Sequence, residues 1–134
     1  MKLPFVPFMA LLLVACTEEP SVGPCGESFC IPADANLLGK RTPVEDFNLY
    51  EVAWRDARFT IYEGNYPQGK DEAGGSVVSL PGNRAGTLRI RDGEASLIFD
   101  TQLGWPAYLD VMGRCRTIED CPVKTLARKI TFRT

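Results

Sequence analysis

The sequence predicts a mainly β domain: a small antiparallel β-sandwich or barrel of about six or seven strands, with one short C-terminal helix. Two observations carry that class. From residue 43 onward apolar and polar residues alternate in short runs, and Gly and Pro punctuate the runs. Within them Asp92-Gly93 sits between two alternating stretches, the pattern of a two-residue hairpin turn. Composition agrees, because 134 residues with 45% hydrophobic and 24% charged side chains suit one globular domain. Those values disfavour collagen, simple disorder and a multi-span membrane protein.

The chain opens Met1-Lys2 and is then almost wholly apolar from Leu3 to Ala15, broken by Pro4 and Pro7. A helix needs about 20 apolar residues to span a bilayer, so this stretch is too short for a comfortable span. Its length suits the apolar core of a secretory signal, and the two prolines oppose a regular buried helix. It ends Leu13-Val14-Ala15-Cys16 and turns polar at once. This resembles the lipobox of bacterial lipoproteins, which are cleaved by a type II signal peptidase. The resemblance covers only the first 16 residues. It implies cleavage after Ala15 and acyl chains such as palmitate on Cys16. Each buried methylene contributes about 0.8 kcal/mol, and two or three chains would make anchoring to a lipid bilayer effectively permanent. Thr17 is not Asp, which under the sorting rule of enteric lipoproteins implies the outer membrane, facing the periplasm.

The expected organisation is therefore a signal peptide over 1–15, a lipidated tether with a cysteine loop over 16–42, and a globular domain over 43–134. Residues 17–24 are acidic and contain two prolines, as a tether does. Leu37 and Leu38 are expected to pack back onto the domain. Asn48 to Trp54 and Arg58 to Glu63 alternate as a hairpin interrupted by Arg55-Asp56-Ala57. Glu63 to Gly75 reads as a long polar loop, and Ser76 to Leu80 as a short strand ended by Pro81-Gly82. Around Asp92-Gly93 the register pairs Arg91 with Glu94, Ile90 with Ala95, Arg89 with Ser96 and Leu88 with Leu97. Leu88, Ile90, Ala95, Leu97 and Phe99 then share the inner face, while Arg89, Arg91, Glu94, Ser96 and Ile98 share the outer one. Ala107 to Met112 is a further strand ended by Gly113. Asp120 is placed to cap a helix from Cys121 to about Arg128, with Pro122 in its first turn. Lys129 to Arg133 closes as a strand with Ile130 and Phe132 inward.

Five Cys and no His constrain the chemistry. With Cys16 acylated, Cys25, Cys30, Cys115 and Cys121 remain, an even set in an exported chain where disulfides persist. Local loops are the simplest pairing and contribute about 2 kcal/mol each; a cross pairing would close loops of about 90 residues and contribute about 4–5 kcal/mol each. Both pairings remain open. There is no Cys-x2-Cys and no His, which disfavours a zinc ribbon and redox catalysis. Nucleotide-binding loops and the nucleophile-elbow motif are absent too, so no cofactor is expected. Without His a hydrolase triad of the usual kind is excluded.

The formal net charge of −2 lacks the basic excess that a nucleic-acid partner requires. Charge is uneven along the chain, with 5 basic and 11 acidic residues over 16–83 against 9 and 6 over 84–134. Most of the aromatic residues Tyr50, Trp54, Tyr62, Tyr66, Trp105 and Tyr108 are expected in the core. Tyr62, Asn65 and Tyr66, with Trp105 and Tyr108, form the candidate binding patch; the alternative is a turn whose tyrosines seal the sheet edge. These features point to an envelope lipoprotein that is not an enzyme and that binds an envelope protein or glycan or plays a structural part. One alternative is an inhibitor of a cell-wall hydrolase, because the chain is similar to lysozyme-inhibiting lipoproteins in size and layout. The other is a carboxylate-based enzyme, although no two acids stand out as a pair.

Overall fold

The computed structural model describes residues 22–44 and 46–133. The segment 1–15 expected to be a signal, Cys16 expected to be lipidated, and most of the expected tether lie outside the described residues.

Among the described residues ten strands form two antiparallel sheets, accompanied by one helix. The larger sheet contains β3 (Asn36–Val44), β4 (Phe47–Trp54), β5 (Ala57–Gly64), β6 (Ser76–Leu80), β7 (Arg84–Arg91), β8 (Glu94–Asp100) and β9 (Tyr108–Arg114). Its strand order is β3-β4-β5-β9-β8-β7-β6. The smaller sheet orders β1 (Val22–Cys25), β2 (Phe29–Pro32) and β10 (Thr131–Phe132) as β1-β2-β10. Helix α1 (Pro122–Lys129) packs against β6, β8 and β9. The fold is thus a mainly β, two-sheet sandwich with a short C-terminal helix. The larger sheet is open, with β3 and β6 as its edges, so it is not a barrel.

The inner face of the larger sheet is the core. Tyr50, Val52 and Trp54 of β4 stand across from Ile61, Phe59 and Ala57 of β5. Leu109 and Val111 of β9 meet Phe99 and Leu97 of β8, and Leu97 meets Leu88 of β7. Full burial of side chains this large stabilises by about 1.5–3 kcal/mol each. The face is closed by α1 through Val123, Leu126 and Ala127 and by the smaller sheet. Phe29 meets the Tyr50 ring edge-on at 5.2 Å, and Phe132 meets Phe99 at 5.6 Å.

The hairpin around Asp92-Gly93 has the register and faces that the sequence predicts. Positive φ at both turn residues, 53° and 75°, makes the mirror-image turn that matches strand twist. Arg55 and Asp56 turn the β4–β5 hairpin in the same way, with φ of 49° and 63°. Ala57 belongs to β5 rather than to an interruption, since it pairs with Trp54. The Arg55 guanidinium lies 4.1 Å from the centre of the Trp54 ring, which offsets part of the cost of left-handed backbone at a non-glycine residue.

Several expectations change. Residues 22–44 contribute three strands, and Phe29 and Ile31 are core residues, so the packed unit begins well before residue 43. Leu37 and Leu38 do not pack back; they lie on edge strand β3, 38% and 50% exposed. Strand β9 runs through Gly113 to Arg114. The N-cap of α1 is Cys121, with no side-chain cap, because the Cys115–Cys121 bridge already fixes the chain there. The final strand is only Thr131–Phe132 and joins β2 rather than the main sheet. Ile130 caps the helix and is buried.

Both disulfides are local: Cys25–Cys30 within the β1–β2 hairpin and Cys115–Cys121 between β9 and α1. Each closes a short loop, and each short loop contributes about 2 kcal/mol on the chain-entropy account.

Candidate functional site

Among the described residues no second sheet covers the outer face of the larger sheet. What crosses it is the segment between β5 and β6. Those strands are separated in the sheet by β9, β8 and β7, so residues 65–75 must pass over all three. Asn65 Oδ1 accepts from the Ala107 N–H at 3.0 Å. Pro67 is buried. The Lys70 ammonium sits 4.2 Å above the Tyr108 ring. Arg89 donates to the Glu72 carbonyl, and Arg91 pairs with the Glu72 carboxylate at 3.3 Å. These contacts turn the long polar loop into a strap.

Beneath the strap the strand pairing sets one row of side chains: Leu49, Tyr62, Asp110 and Ile98, from β4, β5, β9 and β8 in turn. Ile98 is only 7% exposed although it faces outward, because the row lies under cover. Asp110 is only 2% exposed. The Ser96 hydroxyl donates to its Oδ1 at 2.6 Å. Among the described residues Oδ2 has no hydrogen-bond partner, yet it is not among the sealed, unpartnered polar atoms, which are the Nε atoms of Arg84 and Arg89. Oδ2 therefore keeps an opening. Burial pushes the Asp110 carboxyl up to about 6, and the Ser96 bond and the Arg89 charge offset that only in part.

Two hollows share Asp110, Met112 and Gln68. One, of about 560 Å³, runs under the strap beside Arg89 and Ser96. The other, of about 430 Å³, is walled by Phe47, Leu49, Tyr62, Tyr66 and Asp46. Together they make one groove along the outer face, with Asp110 on its floor. Phe47 and Tyr62 stack at 5.3 Å, which makes a rigid aromatic wall. Burial raises the Tyr62 phenol above its ordinary range, so it stays neutral there.

The sequence-predicted patch divides. Tyr62 and Tyr66 reach the groove, and the Tyr62 hydroxyl accepts from the Tyr66 N–H at 2.9 Å. Tyr66 is 83% exposed. Asn65 is a strap anchor, and Tyr108 lies beneath Lys70. Trp105 is 42% exposed and lines neither hollow of the groove. Asp110 and Met112 were not singled out by the sequence. A polar residue at an outward strand position looks ordinary, and only the strap makes this one unusual.

The inner face holds a second buried acid, Glu63. Its carboxylate accepts from the Ser28 N–H at 2.8 Å, the Ser28 hydroxyl at 2.5 Å, the Tyr50 hydroxyl at 2.7 Å, the Asn48 amide at 3.2 Å and the Glu27 N–H at 3.3 Å. Burial alone would raise its pKa. The bonds from Ser28, Tyr50 and Asn48 outweigh it and hold the group below the ordinary carboxylate value. Glu63 pins the Cys25–Cys30 turn to the sheet. Gly26 in that turn lets the chain approach closely, since a Cβ there would stand 2.6 Å from the Phe29 ring and 2.9 Å from the Tyr50 oxygen.

Among the described residues no group of three or more His, Cys, Asp or Glu side chains is placed to hold a metal ion. Among the same residues no helix is long and apolar enough to cross a membrane. No protein-family model matches the chain, and no curated protein or solved structure shows significant similarity to it.

Proposed function

We propose that this chain is a lipid-anchored binding domain of the bacterial cell envelope, held to the outer membrane through acylated Cys16. Its partner would be captured in the groove on the outer face of the larger sheet. The observation that carries the binding half is the groove itself, with an aromatic wall and a buried carboxylate whose Oδ2 has no partner among the described residues. Concave sites with apolar walls and a few placed polar groups are the usual form of a binding site. The lipobox at Leu13-Val14-Ala15-Cys16 supports the anchor. Two local disulfides are consistent with an extracytoplasmic chain.

Labelling with a palmitate analogue tests the anchor. The wild-type chain should take up label and shorten, and Cys16→Ser should remain full length and unlabelled. Normal processing of Cys16→Ser would overturn the lipoprotein reading. Photo-crosslinking from Met112 in intact envelopes tests the binding half, with one discrete adduct expected. Adducts spread evenly over abundant envelope proteins would overturn it.

A second reading is inhibition of a cell-wall hydrolase. What favours it is Tyr66, 83% exposed on the strap beside the groove. Exposed aromatics are frequent anchors at protein interfaces. The purified chain should then slow lysozyme at high micromolar concentration, and no slowing there would remove this reading.

A further inference from the structure

The geometry points to an alkylammonium site in the groove: Asp110 takes the ammonium of a lysine side chain presented by a protein partner. This rests on the binding reading and deepens it by naming the group bound.

Four features of the groove converge on that chemistry. First, the floor carboxylate is half satisfied. Ser96 occupies Oδ1, while Oδ2 has no partner among the described residues and keeps an opening. A carboxylate only accepts hydrogen bonds, so its missing partner is a donor. Second, a further carboxylate, Asp46, lines the same hollow, which favours a cationic donor over a neutral one. Third, the walls are Phe47, Tyr62 and Tyr66, whose ring faces attract cations and pack on methylenes. Leu49 and Met112 add apolar surface for a side-chain stem. Fourth, the hollow of about 430 Å³ is open at its rim, so a side chain can enter from solvent.

The single free oxygen selects between the two common cations. A guanidinium forms its strongest pair with both oxygens of a carboxylate in a planar fork. Here Ser96 already holds one of them. An ammonium is a point donor and needs only the other. Arg89 does not fill the role itself: it donates to the Glu72 carbonyl, and no ion pair joins it to Asp110. It remains close enough to lower the Asp110 pKa by its charge. An incoming ammonium must therefore approach from the side of Tyr62 and Phe47, away from Arg89.

The test is a titration of the full chain, in mild detergent, with Nα-acetyl-lysine methylamide, followed through the Met112 methyl NMR signal. The norleucine analogue, which lacks the ammonium, is the first control, and the arginine analogue is the second. The lysine probe should shift the Met112 signal saturably, and both controls should bind at least about tenfold more weakly, the value of one charge-assisted bond. Asp110→Asn should weaken the lysine probe by a similar factor and leave norleucine unchanged. Met112→Lys, which places an ammonium beside the carboxylate from within, should block the probe; its readout is the Tyr62 ring signal. That variant decides the matter if Asp110→Asn does not fold. Equal binding of norleucine, tighter binding of arginine, or an unaffected Met112→Lys would each overturn the inference. None of those results touches the palmitate labelling or the crosslink, so the two readings fail separately.

Discussion

Glu63 and Asp110 are both buried carboxylates, on strands that pair directly, and they face opposite sides of one sheet. Their surroundings differ most in the number of hydrogen-bond donors. Glu63 receives five donors, from strand β4 and the Cys25–Cys30 turn. Asp110 receives one, from Ser96. Burial penalises both charges, and the hydrogen bonds decide which penalty is overcome. The inner acid is held ionised and the outer one is pushed toward neutrality. The inner acid is thus a structural pin, and the outer one has binding capacity to spare.

Removing the inner acid should produce the largest effect. Glu63→Ala leaves Ser28, Asn48 and Tyr50 with buried donors and no acceptor, and frees the turn that Phe29 needs for its place against Tyr50. A loss of about 3–5 kcal/mol is expected, the scale for breaking a buried charged network. Urea unfolding measures it. A loss below about 1 kcal/mol would mean that water replaces the carboxylate and that the contrast with Asp110 is false.

Asp110→Asn should move stability the other way. The amide keeps an acceptor for Ser96 and carries no charge. A carboxyl raised from 3.8 to about 6 by folding forfeits up to about 3 kcal/mol once ionised. Near neutral pH the variant should therefore gain up to that much. The sign with pH follows from linkage. Asp110 favours the folded state fully below its unfolded value of 3.8, and that contribution is lost as pH rises through about 6. Glu63 runs oppositely: its contribution is present above 4.5 and is lost as pH falls through its lowered pKa. Unfolding midpoints recorded from pH 4 to 7 should fall with pH for the wild-type chain relative to Asp110→Asn. Parallel curves would show that Asp110 titrates alike in both states.

This contrast was legible in the sequence only in part. Alternation in Leu88 to Phe99 and the Asp92-Gly93 turn fixed a register that the fold keeps, because turn and pattern are local. The turn at Arg55-Asp56 carries no glycine, so its positive φ values had no local signal. Strands β1 to β3 contain Pro24, Pro32 and Pro43 and little alternation; β1–β2 and β3–β4 are local pairs whose irregular registers no simple pattern encodes, and β2 also pairs with distant β10. Glu63 follows Phe59 and Ile61 on the inner face by simple alternation, but its residue type argued for exposure. What makes it tolerable there is Ser28, 35 positions away. Asp110 owes its burial to the strap and to strand order, neither of which alternation encodes.

The Cys25–Cys30 bridge and Glu63 hold the same turn, which allows a finer test. Replacing both cysteines with serine should cost about 2 kcal/mol if the bridge acts on the unfolded chain. In the Glu63→Ala background the combined loss should exceed the sum by about 0.5 kcal/mol or more, because the turn then has neither restraint. Strict additivity would assign the bridge no part in placing Ser28. The equivalent change at Cys115 and Cys121 lies away from both acids and should add simply.

The smallest global effect is expected at the strap. Glu72→Ala removes an exposed ion pair with Arg91, and such pairs contribute roughly 0.2–1 kcal/mol. The backbone bond from Arg89 to residue 72 remains available. Total stability should therefore change little, while proteolytic cleavage between residues 67 and 75 should quicken, since local opening follows local contacts. The informative readout is the Asp110 carboxyl itself, followed by carbon NMR as pH varies. If the strap creates the burial, loosening it lets more water reach the carboxyl, and the pKa falls from about 6 toward 3.8. Glu63 serves as the internal reference, because it faces the inner side and its donors do not involve the strap. An Asp110 value that stays put while the strap is cut would place the cause of its burial in the sheet rather than above it, and would leave Ser96 and Ile98 as the groups that hold it dry.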